Sequence, residues 1–401
     1  MLKKDEMMNI KYFTTSKEII LLVSLLVSVS QAGDWTEFPL FPTNDEQQAP
    51  DIWGNIVVWQ QFVSEYGDYD IYFADINDPE ELAVYVIGDA NDQLNPAVFE
   101  DTIVWQDYVQ WQGAADWDIR AADIYDLDDP QVYVVSGIVD NNETNPAIHG
   151  NIVVWEDGNA GDFNIYGADI TDLGNPMEFQ ISAFEYDQQE PAIFRTIVVW
   201  QDNFFGDWDI YAADIWQRNK PLEFPVSYSE KNEQNPVIWD NVVVWQDNFS
   251  GNWDIYAADI SDFNILHEVD PNNIIEFAVS TNEFSQTNPD INGNIIVWQD
   301  NRNNNWDIYG YNLTTRKEFQ ITDDSHDQTS PAISGNVVVW QDNRNGNSEI
   351  YAAILDGPEI AWCTSRLIGD VNGDCEVDFE DFAIMASQWL ECCLFPAKAC
   401  K

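Results

Sequence analysis

The chain is short of positive charge and of histidine, has no cysteine before residue 363, and has no apolar run long enough to cross a bilayer comfortably. Each scarcity excludes something. Lysine and arginine number 16 against 71 aspartates and glutamates, a formal net charge of −55, and only nine of the 16 lie between residues 34 and 357. Neutralising phosphates requires a basic stripe, so nucleic acid is excluded as a partner, and anionic membrane surfaces with it. The three histidines (His149, His267 and His326) sit in separate segments, and no Gly-x-Ser-x-Gly turn is present. Paired carboxylates for glycoside cleavage remain open, but acids are too abundant for any pair to stand out. Aromatics reach 14%, with 18 tryptophans, which argues against disorder.

Residues 1–32 read as an export signal. Lys3, Lys4, Lys11 and Lys17 precede an apolar run from Ile19 to Val29, and Ser30 and Ala32 are the small residues of a cleavage site. The charged lead is long, so Met7 or Met8 is an alternative start, and a retained anchor is the alternative to cleavage. The mature chain is expected to be exported, with no membrane span, and to be periplasmic, at the cell surface or extracellular. All five cysteines (Cys363, Cys375, Cys392, Cys393 and Cys400) fall in the last segment. An oxidising compartment permits two disulfides there, with the pairing left open.

Between these ends one unit recurs seven times. Pro50, Pro96, Pro146, Pro191, Pro236, Pro289 and Pro331 are each followed nine residues later by a tryptophan: Trp59, Trp105, Trp155, Trp200, Trp245, Trp298 and Trp340. Units begin near residues 45, 91, 141, 187, 232, 285 and 327. Each parses into four short strands: a "PAI" piece, a "VVVWQ" run, a "DIYAADI" alternation and a fourth piece such as "KEFQIT". Four-stranded units of 42–53 residues predict an all-β fold, a seven-bladed β-propeller over residues 33–357. The seventh unit lacks its fourth strand, and "TEFPLF" at 36–41 matches "LEFPVS" at 222–227, so Glu37–Phe41 is expected to close the ring. Closure removes free sheet edges, and a monomer is expected.

The "WQDNRNGN…EIY" hairpins resemble those of the TolB-like propellers. That resemblance implies periplasmic or surface protein binding. TolB has six blades and an extra N-terminal domain, whereas this chain has seven units and no such domain.

Three polar positions recur: a Gln or Glu three residues before each proline, a Gln or Glu after each tryptophan, and an acid or amide opening each third strand. They suit either a ring of cation ligands or ties between blades, and the ties are expected, because seven equivalent copies exceed what catalysis needs. Departures from the repeat point to a ligand face. Phe62, Tyr66, Tyr69, Tyr108, Trp111, Trp117, Phe204, Phe205 and Phe249 all fall in loops expected on one face of the ring. They suit stacking on sugar rings or anchoring a protein, or else packing within the hairpins.

Residues 358–401 hold "DVNGDCEVDFED", which places Asp370, Asn372, Asp374, Glu376, Asp378 and Asp381 on the ligand schedule of a Ca2+ loop. The closing Asp and the missing incoming helix make it similar to a dockerin repeat. That resemblance implies a cohesin-like or surface-anchored partner. Dockerins normally hold two such segments, and Cys375 stands where glycine is usual. Taken together, the sequence predicts an exported, non-catalytic binding protein, with a propeller for a protein or glycan and a calcium tail for attachment. The alternative is a secreted polysaccharide-active enzyme, a glycoside hydrolase or lyase, carrying the same tail.

Overall fold

A computed structural model describes residues 11–13, 35–77, 82–111, 114–137, 141–158, 161–182, 186–227, 229–261 and 274–356. The calcium loop and all five cysteines lie outside the described residues. So does most of the export segment, of which Lys11–Phe13 forms a short strand against Val84–Val86.

The seven units fold as seven antiparallel sheets, six of four strands and that of blade 1 of five, with Lys11–Phe13 added at its edge. Blade 4 is representative, with strands Gln188–Phe194, Ile197–Asp202, Asp209–Asp214 and Leu222–Ser227. The first strands of successive blades are neighbours all the way round, including blade 7 against blade 1, so they enclose a central channel. Blade 7 is completed as expected: Glu37, Phe38 and Pro39 pair with Ala353, Ala352 and Tyr351. The seven-bladed β-propeller is therefore the architecture of the described chain. Among the described residues no helix is long and apolar enough to cross a membrane.

The β-branched second strands form because they are buried on both faces, so a continuous apolar run replaces alternation. In blade 3, Ile152–Asp157 is buried at every position. The tryptophan that ends each apolar run is 0–1% exposed in all seven blades. Each packs on the sheet of the preceding blade: Trp105 lies against Ile71 and Phe73, and Trp245 against Ile210 and Ala212. Seven repetitions of this sheet-on-sheet contact make one continuous core.

A β-bulge interrupts every first strand just before its proline, shown by the same register shift in all seven blades. The residue ahead of the proline is left-handed each time, at Ala49, Asn95, Asn145, Glu190, Asn235, Asn288 and Ser330, with φ between 48° and 53°. That conformation is costly for a residue with a Cβ, and asparagine tolerates it best, which accounts for the recurrent Asn-Pro.

Candidate functional site

The bulges are fixed by the repeated polar residue after each tryptophan. Its side-chain oxygen accepts the backbone N–H of the left-handed residue in the next blade. The seven bonds run from Asn95 to Gln60, Asn145 to Gln106, Glu190 to Glu156, Asn235 to Gln201, Asn288 to Gln246, Ser330 to Gln299 and Ala49 to Gln341, at 2.8–3.0 Å. The residue three before each proline is buried in every blade, and Gln188, Gln286 and Gln328 each donate to the carbonyl two residues back. These positions tie the blades together, as the structural reading expects.

The bulge residues form a polar ring around the channel. Asn95 Nδ2 donates to Asn145 Oδ1 at 2.6 Å, and Asn235 Nδ2 donates to Asn288 Oδ1 at 3.1 Å. Glu190 takes the place between those pairs. Its carboxyl is exposed to the lumen yet surrounded by protein, and burial together with the Glu156 charge raises it to about pKa 7.

Deeper in, the residue after each proline is alanine or valine in five blades and aspartate in two, Asp51 and Asp290. One oxygen of Asp51 accepts the Val98 N–H of the next blade at 2.8 Å, and Asp290 Oδ2 accepts the Ile333 N–H at 2.7 Å. Both carboxyls are enclosed on all sides but keep some solvent access, as channel-lining groups do. Desolvation raises both above the ordinary carboxylate range. Asp290 reaches about 7, pushed further by the charge of Asp51. The charge of Asp51 is felt at Asp290, and buried carboxyls raised toward neutrality are candidates for acid–base chemistry.

The far end of the channel is plugged. Three residues after the proline stand Trp53, Phe99, His149, Phe194 and Trp239, whose ring centroids lie 4.2, 4.4, 4.7 and 4.8 Å apart in turn. Trp239 returns to Trp53 at 5.9 Å. In the other two blades Asn292 and Ser334 accept the backbone N–H groups of Gly335 and Gly54. Burial, and then Arg195, lower His149 to about 4, so its imidazole is neutral in the plug. The channel is thus blind and opens on one face.

That open face carries the expected aromatics, because the loops after each second strand lie against those before each first strand. The bonds Phe62 N–H to Glu46 and Tyr108 N–H to Asp92 fix this pairing. Their exposure differs. Phe62 packs on Tyr69 at 5.3 Å and Tyr108 on Trp117 at 5.2 Å, each pair facing across its own hairpin. Trp111 ends the second strand of blade 2. Tyr66, Phe204, Phe205 and Phe249 are exposed, and Phe204 touches Phe205 and Tyr186. The channel acids were not singled out from sequence. Their signal was the substitution of acid for Ala, Val, Asn or Ser at two repeat positions, "EPA" at 190–192 and "PDI" at 50–52 and 289–291.

No family model matches the chain, and no curated protein matches it by sequence. Solved structures do match. An oligogalacturonate lyase from Vibrio parahaemolyticus is similar at 11% identity and a TM-score of 0.56, over 88% of this chain and 98% of that one. An oligogalacturonate lyase in complex with manganese is similar at 11% and 0.58, over 86% and 96%. A puromycin-hydrolyzing peptidase from Mycobacterium tuberculosis matches at 12% and 0.58, but this chain spans only 54% of it, about half its length. Structural neighbours also include TolB from Acinetobacter baumannii, at 14% and 0.44. At these identities the likeness is one of fold. It still overturns the expectation that this fold speaks against an enzyme, which rested on scattered histidines, the missing Gly-x-Ser-x-Gly turn and acids too abundant to single out, because enzymes are built on the same propeller. The lyase is an enzyme spanned almost end to end by this propeller, and the blades here are not equivalent at Asp51, Glu190 and Asp290.

Proposed function

We propose that this chain is a polysaccharide-active enzyme working inside the blind channel. The observation that carries the reading is the Asp51–Asp290 pair, two enclosed carboxylates that break an otherwise apolar ring. Asp290, held protonated near neutrality, is the proton donor to the departing sugar oxygen. Asp51, bonded to the Val98 N–H, is the partner carboxylate that serves as base or nucleophile. Glu190 and the asparagine ring line the approach and bond sugar hydroxyls. Among the described residues no group of three or more His, Cys, Asp or Glu is placed to hold a metal ion.

The acidic lining favours a neutral glycan, because a polyuronide would meet carboxylates at every level of the channel. Hydrolysis is therefore the first reading. Elimination from a uronide is the second, favoured by the coverage of the lyase chains. Incubation with neutral glycans and with oligogalacturonate separates them. Hydrolysis yields new reducing ends alone, and elimination also yields an ultraviolet-absorbing unsaturated product. Absence of both products rejects the proposal.

Residues 358–401 are proposed to bind Ca2+ and attach the enzyme to a larger extracellular assembly, through a cohesin-like partner. Calcium titration of residues 33–401 against Asp370→Ala/Asp374→Ala tests this. The native chain takes up one tightly bound ion and the variant none.

A further inference from the structure

A second cavity, of about 590 Å³, opens on the same face outside the channel. Asp207 of blade 4, Glu230 and Asn232 at the entry to blade 5, Trp253 of its hairpin and Ser285 before blade 6 are among the residues that line it. The residue preceding each buried Gln or Glu is Glu46, Asp92, Asn142, Asp187, Asn232 or Asp327, but in blade 6 it is Ser285. In four places that longer side chain reaches the preceding blade and accepts a backbone N–H. The donors are Tyr69 to Asp92, Phe163 to Asp187, Trp208 to Asn232 and Trp306 to Asp327, at 3.0–3.2 Å. Trp253 is the counterpart donor facing Ser285, and a serine is too short to fill the space. A carboxylate or amide at this position would occupy part of the cavity beside Trp253.

The hairpins on this side of the ring depart from the repeat as well. Blades 6 and 7 carry Arg302 and Arg344 in the hairpin, folded over Tyr309 and Tyr351 with guanidinium-to-centroid distances of 4.1 and 4.4 Å. The same place in blade 5 holds Phe249, which is 67% exposed on the hairpin that carries Trp253. An inward cation has been replaced by an outward ring. The lining is too polar for an apolar ligand and carries carboxylates that repel an anion, and among the described residues no group of three or more His, Cys, Asp or Glu is gathered to hold a metal ion. The Trp253 ring beside carboxylates, amides and the Lys231 ammonium matches a molecule with apolar C–H faces and many hydroxyls.

We infer that this cavity is an accessory binding site for a neutral oligosaccharide, stacked on Trp253 with its hydroxyls bonded by Asp207, Glu230 and Lys231. It rests on the glycan-active reading for the source of the ligand, but binding here is independent of turnover in the channel. The test is calorimetric titration of residues 33–401 with the hexasaccharides of cellulose, xylan, mannan and β-1,3-glucan, with trigalacturonate as the anionic control. At least one neutral hexasaccharide binds. Trp253→Ala weakens it about tenfold, the scale of one lost aromatic stack. Ser285→Asp, which restores the residue type of the sister blades and so keeps the fold, weakens it as much at an unchanged Tm. Asp290→Asn binds as the native chain does, so loss of turnover alone leaves this site standing. Binding of none of the four, preference for trigalacturonate, or native affinity in both Trp253→Ala and Ser285→Asp overturns the inference.

Discussion

Gln341 and Ala49 lie 292 residues apart and are joined across the seam of the ring, the Gln341 Oε1 accepting the Ala49 backbone N–H at 2.8 Å. The other six left-handed residues are held by the same bond within the continuous chain. At the seam it also helps hold the two ends of the propeller together, beside the pairing of Glu37–Pro39 with the last strand. Gln341→Ala leaves a strained N–H without its acceptor and is expected to cost about 1–3 kcal/mol in urea unfolding. Gln341→Glu keeps an acceptor, as Glu156 does in blade 3, and is expected to stay near native stability.

Arg344 bridges Asp342 and Glu37, so one guanidinium links the last hairpin to the closing strand. The Asp342 side chain is fully buried and also accepts the Trp340 indole N–H at 3.0 Å. Arg344→Met strands that carboxylate, with an expected loss of about 3–5 kcal/mol. Adding Asp342→Asn is expected to recover a large part of it. A native-like melt for the single variant would remove Arg344 from the account of closure.

Glu233 stands where five other blades carry glutamine. The counterparts Gln188, Gln286 and Gln328 donate an amide hydrogen to the carbonyl two residues back, which an ionised carboxylate cannot do. Burial, then the charge of Asp247, raises Glu233 to about 8, with Asp209 and Glu276 adding to the push and the Ser227 hydroxyl opposing it. The folded chain therefore holds a proton that the unfolded chain releases near the ordinary glutamate value of 4.5. Folding takes up a proton between these values, so stability falls as pH rises from about 4.5 to about 8 and levels off above. Glu233→Gln removes this dependence. It is expected to unfold at higher urea than the native chain at pH 8, with the gap closing at pH 5.

The architecture was legible because it repeats. The nine-residue step from proline to tryptophan marks the same bulge and the same buried ring in every blade, and "TEFPLF" declared the closing strand by its likeness to "LEFPVS". The exposed face was legible through Phe204, Phe205 and Phe249, while Phe62 and Tyr108 proved to pack on their hairpin partners. The channel acids were not, because among 71 acidic residues Asp51 and Asp290 gain meaning only when closure brings blades 1 and 6 within reach of each other. The plug was missed for the same reason. Trp53, Phe99, His149, Phe194 and Trp239 look like ordinary strand ends until the ring gathers them.

The central claim is that Asp51 and Asp290 perform chemistry on a glycan. Its most direct test is the turnover of neutral glycans by residues 33–401, native and with Asp51→Asn or Asp290→Asn, followed from about pH 5 to about pH 9. The native chain is expected to release new reducing ends, with a rate that declines above about pH 7 as Asp290 loses its proton. Each variant is expected to lose about a hundredfold or more, the scale of one acid–base group, while keeping its fold and its affinity for the hexasaccharide. Native turnover in both variants, or no cleavage of any glycan by the native chain, would contradict the account.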